Sequence, residues 1–234
     1  MRFRFRAPGP AFSTVALLLL LLPACRPDQI EHIKNGKQIA TTLENMVVKR
    51  ILPAALLRAA RWAGDSLTYS ADRELRRQLA TRLQAGGVAA ALPYCRPEAY
   101  ASTDSLARIL KATPRRRTSR PRNPNNQARL TATQLRPDTT TAHLVRRLDA
   151  ETFSYQRPIT LSDALCLRCH GEVGKDISTA DYALIKKQYP ADQATGYRLG
   201  EAMGVWQVSL QRDGVAELYT MKTRKVMKKR KPLF

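Results

Sequence analysis

Histidine and cysteine are both scarce in this sequence, and each shortage limits what the protein can be. The 234 residues include only three histidines and four cysteines. Three histidines are too few for the repeated histidine sites of copper or di-iron proteins, and four cysteines are too few for a small scaffold held together by disulfides. Hydrophobic residues make up 44% of the chain, which is enough for a packed core and argues against wholesale disorder.

Acidic residues are also few. The chain has 19 Asp and Glu against 40 Lys and Arg, which gives a formal net charge of +21. Such an excess raises the question of a polyanionic partner, and in a cytoplasmic protein that partner would be nucleic acid. Part of the charge lies in a basic tail, residues 221–234, so the meaning of this tail depends on the compartment.

The N-terminus predicts export. Arg2, Arg4 and Arg6 precede an apolar run over residues 15–22 that is too short to span a bilayer and fits a cleaved signal. The run leads into Pro23-Ala24-Cys25, which resembles a bacterial lipobox. We therefore predict that residues 1–24 are a lipoprotein signal peptide and that a lipidated Cys25 anchors the protein to a bacterial membrane on the periplasmic side. The alternative is an ordinary secretory signal with a chance cysteine.

An extracytoplasmic location removes the nucleic-acid interpretation of the positive net charge. We expect the basic tail, residues 221–234, to contact anionic lipid beside the anchor. Attraction of an acidic redox partner and a tail that is simply solvated are the alternatives. The redox or signalling partner itself cannot be identified from the sequence.

Hydrophobic periodicity predicts an α+β fold, with long N-terminal helices before a strand-rich C-terminal half. The predicted helices cover residues 30–62 with a split at Pro53, 71–91 with a weak point at Gly86-Gly87, 103–111, 130–135, 142–148, 161–170 with Ser162-Asp163 at its start, and 179–188. The predicted strands cover residues 151–159, 200–211 and 215–222, with a hairpin turn at Arg212-Asp213-Gly214. Residues 114–126 are predicted to be a basic loop with turns. Residues 25–220 are predicted to form one domain.

The segment Cys166-Leu167-Arg168-Cys169-His170 has the C-x-x-C-H pattern of covalent haem attachment. Two thiols at this spacing reach the two vinyl groups of one porphyrin, and the following imidazole then reaches the iron. We predict one covalent haem c with His170 as proximal ligand. The alternatives are a redox dithiol, a zinc site with Cys95 as a further ligand and a strained disulfide.

The position of the motif, far into the chain and after long helices, excludes an ordinary class I cytochrome c. Four blocks instead resemble the bacterial PAS-like c-type haem family, which occurs alone and as a sensory module. They are residues 87–95, ending in Cys95, residues 117–126 with Arg-Thr-Ser-Arg and Arg-Asn-Pro-Asn-Asn, residues 155–171 around the haem motif, and residues 189–204. The resemblance implies a PAS-like antiparallel sheet in an α+β domain.

The resemblance also implies that Cys95 is the second axial ligand of the iron. The residues agree in part, because Cys95 is the cysteine left over once Cys25 is assigned to lipid and the motif cysteines to thioethers. A buried, inert cysteine is the alternative. Rival ligands are His32, near the membrane tether, Met46, His143, which we expect to be a surface or capping residue, and Met203, which we expect in the core of a strand.

Arg117, Arg120, Arg122 and Asn123 are predicted to lie at the haem edge, because arginines pair well with propionate carboxylates. The alternative is a solvated basic loop.

The predicted function is that of a membrane-anchored, extracytoplasmic haem protein that senses redox state or gas and is not an enzyme. Low-potential electron transfer is the alternative, and zinc binding or a small peroxidase activity are minor ones. No output segment is recognised in the chain, so we expect a sensor to act through a separate partner.

Overall fold

The computed structural model describes residues 36–38, which are helical, and residues 51–229. The chain divides into two compact units, Met1–Arg50 and Ile51–Phe234, and every element below belongs to the second. The predicted signal peptide, Cys25, His32 and Met46 lie outside the described residues. Within residues 36–38 and 51–229, no helix is long and apolar enough to cross a membrane.

The first element is a long helix, α1, over Pro53–Ala91. Pro53 stands in its first turn, where the missing N–H costs no hydrogen bond, so the split predicted there is the start of the helix. The predicted break between residues 62 and 71 is wrong, because α1 runs straight through. The predicted weak point is confirmed: Gly86 and Gly87 are non-helical, and Gly87 has a φ of 62°, which favours glycine.

The remaining α-helices described are α2 over Ala101–Ile109, α3 over Leu167–His170, α4 over Thr179–Gln188 and α5 over Arg212–Lys229. The predicted boundaries of α4 are confirmed, with the Ser178 hydroxyl capping its first turn by accepting from the Asp181 N–H at 3.0 Å.

Four strands form one antiparallel sheet in the order β1-β4-β3-β2. The strands are β1 over Ala112–Arg117, β2 over Leu144–Arg147, β3 over Thr152–Thr160 and β4 over Ala202–Gln211. The α+β class and the antiparallel sheet are therefore confirmed, and so are the strands predicted over residues 151–159 and 200–211.

Several predicted elements are wrong. The hairpin at Arg212-Asp213-Gly214 does not form, because Val215, Leu218 and Tyr219 pack on the core at helical spacing within α5. Gly214 is needed there for close packing, since a Cβ would lie 2.4 Å from the Leu110 carbonyl oxygen.

Strand β1 overlaps the start of residues 114–126, the segment predicted to be a basic loop. Pro114 is tolerated in it because β1 is an edge strand. The helices predicted over 130–135 and 142–148 are also absent. The first segment consists of turns and irregular chain, and the second contributes a short 3-10 turn and strand β2.

The first half of α1 packs closely on the sheet through a stripe of small residues. Ala59, Ala60 and Ala63 are fully buried, and with Leu67 they face Phe153 and Tyr155 of β3. Small side chains at helical spacing let the helix axis approach the sheet. The second half of α1 extends beyond this contact and forms a wall of the cavity described below.

Gly64 tests this close approach, because a Cβ there would lie 2.2 Å from the ring of Tyr155. In an exposed helix, Gly→Ala stabilises by about 1 kcal/mol. We predict the opposite sign for Gly64→Ala, a loss of about 1–3 kcal/mol through overpacking. Urea unfolding measures it, with the exposed helix position Ser66→Ala as control. An increase in stability would contradict the packing described.

Candidate cofactor site

A cavity of about 570 Å³ lies between the second half of α1 and the turn that carries Cys166, Cys169 and His170. Its volume falls in the range of cofactor pockets, about 300–1,000 Å³. Both cysteines, the histidine and the distant Cys95 line it. Its apolar walls include Leu75, Leu79, Leu83, Leu92, Ile159 and Leu161. Two segments far apart in sequence therefore bring the predicted ligand residues to one cavity.

The cysteine-histidine turn begins with a capped 3-10 segment, Ala164–Cys166. The Asp163 carboxylate accepts from the Leu165 N–H at 2.9 Å, and the chain continues directly into α3. The predicted helix over this motif is thus two short turns opened by Asp163. Cys166 packs beside Leu161 and Ala194, and Cys169 beside Val88 and Leu92, which fixes both thiols against the core.

His170 is buried and its imidazole has a defined orientation. Its Nδ1 lies 2.7 Å from the carbonyl oxygen of Ala194 and donates to it. Burial, followed by the positive charge of Arg122, lowers the pKa of His170 to about 3, so the imidazole is neutral at neutral pH. With Nδ1 carrying the proton, Nε2 carries the lone pair that a metal ligand requires.

All three cysteines in the described part of the chain are free thiols. Burial, followed by the charge of Cys95, raises the pKa of Cys166 to about 11. Burial also raises the pKa of Cys169 to about 11. Both motif thiols are therefore protonated at neutral pH. A reactive dithiol needs a lowered pKa, so this environment argues against the redox-dithiol interpretation. No disulfide joins Cys166 and Cys169.

Cys95 follows a 3-10 turn, Leu92–Tyr94, that extends α1. It lines the same cavity as both motif cysteines and His170. Nowhere in residues 51–221 do three or more His, Cys, Asp or Glu side chains come together as a metal site.

The four predicted edge residues fall into two groups. Arg117, Arg120 and Asn123 line a smaller adjacent cavity and make hydrogen bonds within the protein. Arg117 donates to the Asn125 carbonyl at 2.9 Å, and Asn123 accepts from the Asn125 N–H at 3.1 Å. Arg120 donates to the Gln193 and Thr195 carbonyls and lies over the ring of Tyr197. These contacts order the loop.

Arg122 differs from its neighbours because it lines both cavities. It forms an ion pair with Asp192 at 3.0 Å, with only 9% and 0% of the two side chains exposed. Among the described residues its Nη1 is buried without a hydrogen-bond partner. A buried guanidinium nitrogen of this kind is a donor in need of an acceptor.

Arg116 belongs to the cavity wall and was not predicted from the sequence. Arg116 lines both cavities and donates to the Cys95 carbonyl at 3.4 Å. Its alternation with the exposed Arg115 along β1 was the available signal, once β1 is known to be a strand. Met203 also lines both cavities, although it packs with Leu161 as a core residue.

A buried charged network forms the polar wall of the main cavity. Arg157 is only 3% exposed, and it donates to Asp72, to Asp138 and to the Thr68 hydroxyl. Asp72 also accepts from Trp206 Nε1 at 3.0 Å. Asp72, Asp138 and Arg157 all line the cavity, so this network joins α1 to the sheet at the cofactor site.

His143 belongs to the same network, and the prediction that it is a surface or capping residue is wrong. Its side chain is 1% exposed. Nδ1 lies 2.8 Å from Asp65 and Nε2 lies 2.7 Å from Asp138. Both ring nitrogens therefore lie within hydrogen-bond distance of carboxylate oxygens, and the imidazole bridges Asp65 on α1 to Asp138. Burial of this polar ring is possible because each nitrogen has a hydrogen-bond partner. His143 does not line either cavity.

Comparisons with known proteins identify the family. The sequence model of the Tll0287-like family, described as Tll0287, matches residues 31–211. The chain belongs to the Tll0287-like family. Among solved structures, the crystal structure of the cyanobacterial heme-protein Tll0287 matches at 22% identity and a TM-score of 0.39, covering 62% of this chain and 92% of that chain. None of the curated proteins matches the chain. The family resemblance carried by the four sequence blocks is therefore confirmed.

The charged network gives a prediction for stability. His143→Ala leaves the Asp65 and Asp138 carboxylates without the imidazole that both contact, and we predict a loss of about 3 kcal/mol in the free energy of unfolding. Chemical unfolding monitored by circular dichroism measures it. Thr133→Ala, at an exposed position in the neighbouring loop, is the matched control. Equal stability of the two variants would show that the contacts of His143 with the two carboxylates do not stabilise the fold.

Proposed function

We propose that this protein binds one haem c covalently, through thioethers to Cys166 and Cys169, with His170 as an iron ligand. The observation that carries the proposal is the convergence of these three residues on one cavity with a neutral, oriented imidazole. The solved protein Tll0287 is a heme-protein, and this chain belongs to the family that bears its name.

The residues present fit this group. The apolar walls suit a porphyrin face, and the two thiols are held on one side of the cavity by packing. Each protonated thiol adds across a vinyl C=C bond: the S–C bond forms and the hydrogen goes to the neighbouring carbon, so no oxidant is consumed. The buried Nη1 of Arg122 is the donor available to a propionate carboxylate. Bound haem supplies one-electron chemistry and a site for a diatomic ligand.

Cys95 is the proposed second axial ligand. It lines the same cavity as His170, so both residues border the space that a bound haem would occupy. A thiolate stabilises ferric iron and lowers the reduction potential. Weakening of this ligand on reduction would open the sixth position, which makes the site a two-state element. We propose redox or gas sensing on this basis, and no enzymatic activity.

Export follows from the same chemistry, because haem c is attached outside the cytoplasm. We propose a periplasmic location, with the lipid anchor at Cys25 and the basic tail against anionic lipid. The protein that receives the signal is unidentified. Electron transfer is the alternative to sensing, and the carbon monoxide experiment below distinguishes the two.

Electron paramagnetic resonance of the ferric protein tests the ligand. We predict a low-spin thiolate spectrum that Cys95→Ala abolishes, because the variant loses the sulfur opposite His170. Met203→Leu removes the rival sulfur that lines the cavity and is the matched control. Bis-histidine or histidine-methionine signals in the parent protein, unchanged in Cys95→Ala, would contradict the assignment.

Carbon monoxide binding separates sensing from electron transfer. We predict that the ferrous protein binds carbon monoxide with a change in protection of the segment around Cys95, measured by hydrogen exchange. Cys95→Ala is expected to bind at least as readily, because its sixth position is already open. Rapid reversible reduction without carbon monoxide binding would overturn the sensing proposal in favour of electron transfer.

A further inference from the structure

We propose that the buried ion pair between Arg122 and Asp192 is a positioning pair for His170: it holds the Ala194 carbonyl against Nδ1 and so fixes the tautomer and orientation of the imidazole. This inference rests on the proposed haem attachment only for the role of His170 as iron ligand. The contacts themselves belong to the protein.

Asp192 organises the segment that carries the acceptor. Its Oδ1 accepts from Arg122 Nε at 3.0 Å and from the backbone N–H of Ala194 at 3.1 Å. Its Oδ2 accepts from Arg122 Nη2 at 3.3 Å. One carboxylate therefore fixes the Ala194 peptide from its N–H side and holds the guanidinium against the same segment.

Arg122 joins this segment to the cysteine-histidine turn. Its Nη2 donates to the Cys169 carbonyl at 2.6 Å and also lies 3.4 Å from the Ala194 carbonyl. The first carbonyl belongs to the residue before His170, and the second accepts the proton of His170 Nδ1 at 2.7 Å. The same guanidinium thus contacts both sides of the His170–Ala194 hydrogen bond.

Backbone hydrogen bonds complete the alignment. The N–H of Gly196 donates to the Gly171 carbonyl at 2.7 Å, and the N–H of Tyr197 donates to the His170 carbonyl at 2.9 Å. They pair the two segments but leave the Ala194 carbonyl to side chains. Arg120 donates only to the flanking carbonyls of Gln193 and Thr195. The direct side-chain control of the Ala194 peptide comes from the Arg122–Asp192 pair.

This arrangement gives the pair a function beyond stability. A histidine ligand needs its distal nitrogen unprotonated, and a hydrogen bond at the other nitrogen enforces that state and raises ligand basicity. Loss of such an outer partner commonly costs 10- to 100-fold in metal affinity. Because the pair is buried, an altered partner is not replaced by bulk water.

The experiment compares Asp192→Asn and Arg122→Lys with the parent in the full-length, haem-loaded protein. Asp192→Asn is almost isosteric and keeps an acceptor for the Ala194 N–H, and Arg122→Lys keeps the charge but loses the forked contact. We expect heterogeneous paramagnetic resonance signals from rotated imidazoles and an upward shift in midpoint potential, because the imidazole becomes a weaker donor. Asp192→Glu, which restores the charge, is expected to move both readouts back toward the parent.

Arg147→Lys is the matched control. Arg147 also donates to a backbone carbonyl, that of Asp149 at 2.7 Å, but it lies on β2 and lines neither cavity. We expect it to leave the potential and the spectrum unchanged. Parent-like spectra and potentials in both Asp192→Asn and Arg122→Lys would overturn the proposal, and so would a shift of equal size in the control.

A second readout does not depend on haem. Nitrogen-15 correlation spectra of the full chain produced without haem maturation report the His170 tautomer. We expect a single Nδ1–H tautomer in the parent and a mixture in the two variants. An Nε2–H tautomer in the parent overturns the inference even if neither variant folds. Absence of haem from the matured parent would refute only the proposed function. The tautomer measurement would still decide whether the Arg122–Asp192 pair positions His170.

Discussion

The hydrogen bond from His170 Nδ1 to the Ala194 carbonyl is the interaction on which the cofactor site depends. Burial disfavours the imidazolium form, and the carbonyl then determines which nitrogen keeps the proton. The lone pair on Nε2 follows from those two facts. The loop of residues 192–197, the Arg122–Asp192 pair and the short helix α3 are arranged around this one bond.

The shortage of acidic residues acquires a structural meaning in this setting. Three aspartates, Asp72, Asp138 and Asp192, compensate the buried guanidinium groups of Arg157 and Arg122 around the cavity. Carboxylates committed to internal partners contribute little negative potential at the surface. The large positive charge of the chain is therefore carried mainly by exposed arginines and lysines, while the cavity wall is locally compensated.

Local patterns predicted much of the fold, and long-range contacts decided the rest. The strand over β3, the helix α4 and the break at Gly86-Gly87 each have a local cause in alternation, capping or glycine. Strand β1 escaped prediction because Pro114 and three arginines look like a loop until β4 is beside them. Gly214 suggested a turn. Its missing side chain instead lets the Leu110 backbone pack against it.

Local patterns likewise predicted only part of the candidate site. The spacing of Cys166, Cys169 and His170 was readable, but nothing local indicated that His143 is buried between two aspartates or that Asp192 pairs with Arg122. Asp65 lies 78 residues from His143, and Asp192 lies 70 residues from Arg122, so only the fold brings these partners together. Asp138 is five residues from His143, but no periodic pattern marked the pair.

We propose that this cavity holds one covalent haem. The direct measurement is a pyridine haemochrome spectrum, with intact mass, of the denatured protein produced in a bacterium that matures c-type haem. We predict one haem per chain that survives denaturation and is lost on denaturation when Cys166 and Cys169 are both changed to Ala. Protein without covalent haem, from cells that mature another cytochrome c normally, would contradict it.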